Sequence, residues 1–383
     1  MNRYKSFYFV LFFTWSSVYT LITLYLNEEI GLSLSTIGLV MSILPLISLV
    51  FQPIWGLVSD MKGNKRIVLQ GLLIATALLT GAITLITQQF WVIALYYLYQ
   101  IFLCGQGPLS DAMTIEYVNQ ATEGSFGFVR TWGSLGYAIG AFFVAWISNR
   151  YGLVWLFYIA SIGYVLSLFL TFRLDAFKLP RLDKTLKADL SALLKEKKYL
   201  FVLVYSFLLI GSFFGSDQYL GLFIRSTGVD LSKLGLITFI SVCVEVPLIS
   251  QSKRLIKRFS ATKLLVFMNV IAIIRMLVLS QSTELWQFVL AGVLRGLLVG
   301  IFVPLFVELI IEMTPRAVVT SAIAIYSAVS SGIANFIFTL ISGFLADYLG
   351  YQGLFLTVGI FMLLPLGLAI KMHRKTYSAE TIK

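Results

Sequence analysis

The chain has 383 residues, 58% of them hydrophobic and only 12% charged, with a mean hydropathy of +0.89. A soluble domain carries about twice that share of charge, so a water-soluble globular fold is excluded. The formal net charge of +11 does not point to nucleic acid, because the basic residues fall in alternate loops.

Apolar runs of about 20 residues, each long enough to cross a bilayer as a helix, recur throughout. Backbone groups in lipid must be satisfied internally, so the expected class is an all-α membrane protein. Twelve spans are predicted, near 6–26, 36–59, 67–88, 91–117, 129–148, 153–172, 199–224, 233–252, 263–281, 284–312, 318–345 and 352–371. The first run is long, lacks a small-residue cleavage site and leads straight into the second, which excludes a cleaved signal peptide.

Of the 29 Lys and Arg residues, only Arg150, Arg225 and Lys233 fall in one set of loops, and Arg275 and Arg295 lie inside spans. The remainder occupy the opposite loops and both tails. That asymmetry predicts a multi-pass protein of the cell membrane with both termini in the cytoplasm.

In chain order, the first notable stretch is PLISLVFQPIWGLVSDMKGNKR at 45–66. Gly56 and Gly63 are read as letting helix ends approach and turn. Asp60 is placed to cap or pair, and Lys65 and Arg66 favour the cytoplasmic side. These five residues are the candidate gating loop.

Asp111 and Glu116 lie in GPLSDAMTIEYV, with Asp111 the deeper candidate for a cavity acid and Glu116 expected to pair with Arg130. Gly133, Gly136 and Gly140 make a small-residue face for close helix contact. Residues 173–198 form the one long polar segment and divide the spans six and six. The predicted organisation is therefore a bundle over 1–172, a cytoplasmic linker over 173–198, and a second bundle with a short tail over 199–383. Leu190, Leu193 and Leu194 suit either a surface helix or a flexible linker. An internal repeat supports two halves: ISNRYGLVWLF at 147–157 parallels LADYLGYQGLF at 345–355.

Charges inside spans are costly, roughly 2.5–3.5 kcal/mol at the bilayer centre, and are expected to face the bundle interior in pairs. Asp217 with Arg295, and Glu245 with Arg275, are the two expected pairs. Glu245 stands in apolar VCVEVPLI, where desolvation favours its neutral form, which suits it to carry a coupled proton. Asp217, Asp111 and Glu116 are the other proton-coupling candidates, and sodium is the alternative ion. Tyr137 is a candidate either for stacking on substrate or for helix packing, with Tyr19, Tyr25, Gln218 and Tyr219 as weaker hydrogen-bonding candidates. His373, the only histidine, lies in the tail, so no His-based metal site or relay is expected. Cys104 and Cys243 read as small apolar residues without a disulfide. No nucleophile motif, metal cluster or phosphate loop is present, so no enzyme and no cofactor beyond the coupling ion is expected.

The 45–66 loop resembles the signature between the second and third helices of the major facilitator superfamily. SLVFQPIWGLVSD and FGFVRTWGSLGYAIG resemble its lactose permease branch of proton-coupled sugar symporters. That resemblance places Arg130 on the motif's arginine, Tyr137 at a sugar-stacking position, and Asp217, Arg275 and Arg295 on or near functional charges. The branch's tenth-helix histidine and glutamate have no counterpart, since 295–304 reads RGLLVGIFVP. The resemblance implies two six-helix bundles in the major facilitator fold and symport of a sugar, glycoside or nucleoside by alternating access, as a monomer. A drug–proton antiporter is the alternative, weakened because WGSLGYAIGAFF lacks the proline of the antiporter signature. A sensor or a lipid flippase is a third class.

Overall fold

A computed structural model describes residues 1–120, 126–175, 196–314 and 319–380. Most of the predicted linker 173–198, with Leu190, Leu193 and Leu194, lies outside the described residues. The helices are α1 (Asn2–Glu28), α2 (Leu34–Lys62), α3 (Lys65–Ile83), α4 (Gln89–Leu103), α5 (Gln106–Gln120), α6 (Phe126–Tyr151) and α7 (Trp155–Thr171). They continue as α8 (Lys197–Asp217), α9 (Leu220–Ser226), α10 (Leu231–Arg258), α11 (Ala261–Ser280) and α12 (Leu285–Met313). α13 (Val319–Ser327), a π-helical segment Ala328–Ala334, α14 (Asn335–Phe361) and α15 (Leu363–Glu380) close the chain.

Among the described residues, nine helical stretches are long and apolar enough to cross a membrane. The last, Ser321–Arg374, contains two helices joined at Gly350, whose φ of +70° is open to glycine and strained for other residues. α6 and the 17-residue α7 complete a set that agrees with twelve spans. Among the described residues the spans are not all continuous helices. The fourth breaks at Cys104–Gly105 between α4 and α5, and the seventh at Gln218–Tyr219 between α8 and α9. In the first break the freed Ile101 carbonyl accepts the Trp55 indole N–H at 2.6 Å, which satisfies a backbone group that lipid could not.

The chain forms two compact units. One comprises the described residues of Met1–Ser33, Leu46–Asp183 and Ile224–Phe239; the other those of Leu34–Pro45, Lys184–Phe223 and Ile240–Lys383. In the first unit α1 is the central helix, packed on α6 and α7, and its Tyr4, Phe7, Tyr8 and Leu11 are buried. Gly136 of α6 faces the Phe9 carbonyl so closely that an added Cβ would lie 2.1 Å from it. The expected small-residue face is therefore a helix contact. In the second unit α14 packs on α8 and α11, and α11 on α12. Pro247 lies inside α10 and Pro304 inside α12, where neighbouring helices must cover the backbone groups each leaves free.

Candidate functional site

The second unit holds a buried charge cluster. Asp217 is the last residue of α8, where a carboxylate meets the negative end of the helix dipole and needs cationic company. Two guanidiniums supply it. Arg275 of α11 donates Nη2 to Asp217 Oδ1 at 2.5 Å, and Arg295 of α12 donates Nε to Oδ2 at 2.7 Å. The Arg275 side chain is 0% exposed, that of Asp217 11% and that of Arg295 22%. Arg275 also donates Nε to the Ala291 carbonyl at 3.1 Å and lies 4.9 Å from the centre of the Phe213 ring. The ring face partly repays the loss of hydration. Its Nη1 has no hydrogen-bond partner among the described residues.

The expected pairing of Asp217 with Arg295 is present. Arg275, expected against Glu245, engages Asp217 as well, so two arginines from two helices converge on one acid. Arg295 also donates Nη1 to Ser241 Oγ of α10 at 3.4 Å. Glu245 lies one turn further along α10, on the same face, and is half-buried. An added Cβ on Gly300 of α12 would come within 3.0 Å of the Glu245 carbonyl, so α10 and α12 pass closely here. Gln218 is half-buried in the break after α8. Tyr219 is fully buried, its hydroxyl 3.4 Å from the carbonyls of Leu34 and Thr339.

The first unit holds a second polar cluster. Tyr8, wholly buried on α1, donates its hydroxyl to Asp111 Oδ1 of α5 at 2.6 Å. Arg130 of α6, set against Glu116 by the sequence, is packed with its guanidinium 4.0 Å from the Phe12 ring centre and 6.0 Å from that of Tyr8. Glu116 lies on the same helix as Asp111 and is half-buried. Five residues before Asp111, buried Gln106 accepts the Trp15 indole N–H at 3.0 Å and donates to Thr76 Oγ1 at 3.0 Å. Sequence reading missed Gln106; its signal was an amide beside a glycine inside an apolar span.

Tyr137 is half-buried and its ring lies 6.5 Å from that of Tyr19, which is 52% exposed. Tyr25, expected as a ligand contact, is a core residue, 3% exposed with its ring edge against Phe157 at 4.8 Å. Packing among α1 and α7 side chains decided its direction.

The 60–66 loop is a tight turn. Gly63 has φ +62°, and Asn64 caps α3 by accepting the Ile67 amide at 3.3 Å. Asp60 is exposed, so the cap belongs to Asn64. Lys65 opens α3, and Arg66 Nη1 donates to the Leu174 carbonyl beyond α7 at 2.9 Å. An added Cβ on Gly56 meets no atom within 4 Å, whereas one on Gly105 would lie 2.8 Å from the Trp55 ring. Gly105, rather than Gly56, makes the close approach here. Among the described residues no group of three or more His, Cys, Asp and Glu side chains could hold a metal ion.

The charge clusters on interrupted apolar helices suit a solute pathway. The chain is 30% identical over 280 residues to a maltose permease of Geobacillus stearothermophilus, covering 73% of this chain and 71% of that one. It is 26% identical over 386 residues to YwbF of Bacillus subtilis (strain 168), described as an uncharacterized transporter, covering 99% and 94%. The crystal structure of nucleoside transporter NupG superposes with a TM-score of 0.86 at 16% identity, over 97% of this chain and 98% of that one. The MFS_1 like family model matches residues 1–357, and the chain belongs to that family of the major facilitator superfamily of membrane transporters.

Proposed function

We propose that the protein is a proton-coupled symporter of a small polar solute, a sugar, glycoside or nucleoside, that works by alternating access. The observation that carries this reading is a pair of charged clusters inside the spans, Asp111 with Tyr8 and Arg130 in one unit, Asp217 with Arg275 and Arg295 in the other. Membrane spans hold such groups where a polar solute or an ion must pass. The maltose permease relative and the fold of the nucleoside transporter support the substrate class.

In this reading Asp111, held in place by the Tyr8 hydroxyl, offers an acceptor to solute hydroxyls, and Tyr137 stacks on an apolar ring face. Asp217 bridges two guanidiniums and keeps the site intact. Glu245, on the Arg295-facing side of α10, takes up and releases the proton, and no other cofactor is needed. The basic loops put both termini in the cytoplasm of a cell-membrane protein that acts as a monomer and does not bind nucleic acid.

The test uses purified protein in liposomes with an internal pH dye and a panel of sugars, glycosides and nucleosides. Internal acidification on adding one of these outside, in protein inserted as in the cell, supports symport and names the substrate. Internal alkalinisation would instead show exchange of that solute for protons and favour the antiporter alternative. Uptake without any pH change would overturn proton coupling.

A further inference from the structure

A second repeat runs through the two halves: LSTIGL at 34–39 returns as LSKLGL at 231–236. The structure pairs each copy with the partner copy of the other repeat. In one unit the Ser35 amide donates to Asp347 Oδ2 at 2.8 Å, and the Ser35 hydroxyl donates to the same oxygen. In the other, the Leu231 amide donates to Asn149 Oδ1 at 3.3 Å. Asn149 and Asp347 occupy the same place in ISNRYGLVWLF and LADYLGYQGLF.

Both side chains act as caps lent by another helix. α2 begins at Leu34 and α10 at Leu231, and the first amides of a helix have no partner within it. One turn inward the match continues. An added Cβ on Gly38 would lie 3.0 Å from the Gly343 Cα, and one on Gly235 would lie 2.9 Å from the Ala145 Cβ. Gly343 and Ala145 each stand one turn before the capping residue. Beyond their first turns both helices change allegiance: α2 from Leu46 belongs to the first unit, and α10 from Ile240 to the second.

From this repeat we infer that Asp347 and Asn149 are a matched pair of detachable caps that hold the starts of α2 and α10, and that their release accompanies opening of the transporter at that face. The inference rests on the alternating-access reading and on the proposed orientation, which makes this the outer face. Asn and Asp cap helices about equally well, and alanine does not. The two positions should therefore accept each other's residue.

The test uses full-length protein in sealed vesicles, with Cys104→Ser and Cys243→Ser and one new thiol from Ile37→Cys. Ile37 is 0% exposed, between Ser35 and Gly38. A membrane-impermeant maleimide is added to each face in turn. Labelling is expected to be slow with both caps intact. Asp347→Ala or Asn149→Ala should speed it from the outer face by about fivefold, the factor that a lost cap represents. Asp347→Asn, Asn149→Asp and the double exchange should stay within about twofold of the parent. Unchanged labelling in the alanine variants, or exchanges as fast as alanine, would overturn the inference. Should the alanine variants not fold, the double exchange decides: a parent-like rate supports the caps and an accelerated one rejects them. The same dependence seen only from the face of the termini would keep the caps and reject the orientation.

Discussion

Arg275, with no exposed side-chain surface, reaches Asp217 from α11 at 2.5 Å, while Arg295 holds the other carboxylate oxygen from α12. One acid therefore serves two guanidiniums. Removing a partner from a buried ion pair costs about 3–5 kcal/mol because the remaining charge is stranded. Asp217→Asn strands two charges and should be the most damaging change here, lowering the melting temperature in detergent more than Arg275→Gln. Arg295→Gln should be milder still, since Arg295 is 22% exposed. Adding Arg295→Gln to Asp217→Asn should recover part of the loss.

The Tyr8–Asp111 bond gives a second outcome. Tyr8→Phe removes the donor to Asp111 but keeps the ring against Phe12. A lost hydrogen bond to a charged group costs about 1.5–3 kcal/mol. The melting temperature should fall, and the half-saturation concentration for the transported solute should rise severalfold because Asp111 is no longer held in place. An unchanged half-saturation concentration would take Asp111 out of the solute site.

Glycine substitutions should separate sharply. Gly136→Ala drives a Cβ into the Phe9 carbonyl and should prevent the α1–α6 contact, seen as loss of monodisperse protein. Gly56→Ala meets no atom within 4 Å and should be neutral or raise stability by up to about 1 kcal/mol through helix propensity. Thermal unfolding of the two variants side by side checks both.

At the α2–α3 turn, Asn64→Ala removes the cap on Ile67 and should cost about 1 kcal/mol. Asp60→Asn should leave the melting temperature unchanged, because that side chain is exposed and caps nothing here. If Asp60 stabilises one state of the transport cycle, the same variant slows turnover more than it weakens solute affinity. Equal loss of both would count against a gating role.

The spans and the 60–66 turn were legible because they depend on local physics: apolar runs, charge asymmetry, and a glycine followed by a capping residue. The partner of Arg275 was not legible. It depends on how α8, α11 and α12 are rotated about their axes, and sequence spacing does not fix rotation between helices. The direction of the Tyr25 ring, edge-on to Phe157, was hidden for the same reason. Gly56 was read from a motif, but the neighbour that needs room is Trp55, and Gly105 on another helix provides it. The cap pair Asn149 and Asp347 lay in a repeat that sequence reading had noticed, yet its partners became visible only once the helix starts were placed.

The bend at Cys104–Gly105 ends one helix and begins another, and the indole of Trp55 is fastened to its open carbonyl with Gly105 beneath the ring. The chain has seven tryptophans, and this one is tied to a carbonyl that lies at the interruption of the span and also accepts the Cys104 thiol at 3.2 Å. Straightening the span would return the Ile101 carbonyl to its own helix and release the indole. The fluorescence of Trp55, isolated by replacing the other six with phenylalanine, would then shift in wavelength. The protein carries an intrinsic optical probe of one of its own joints, readable before any substrate is known.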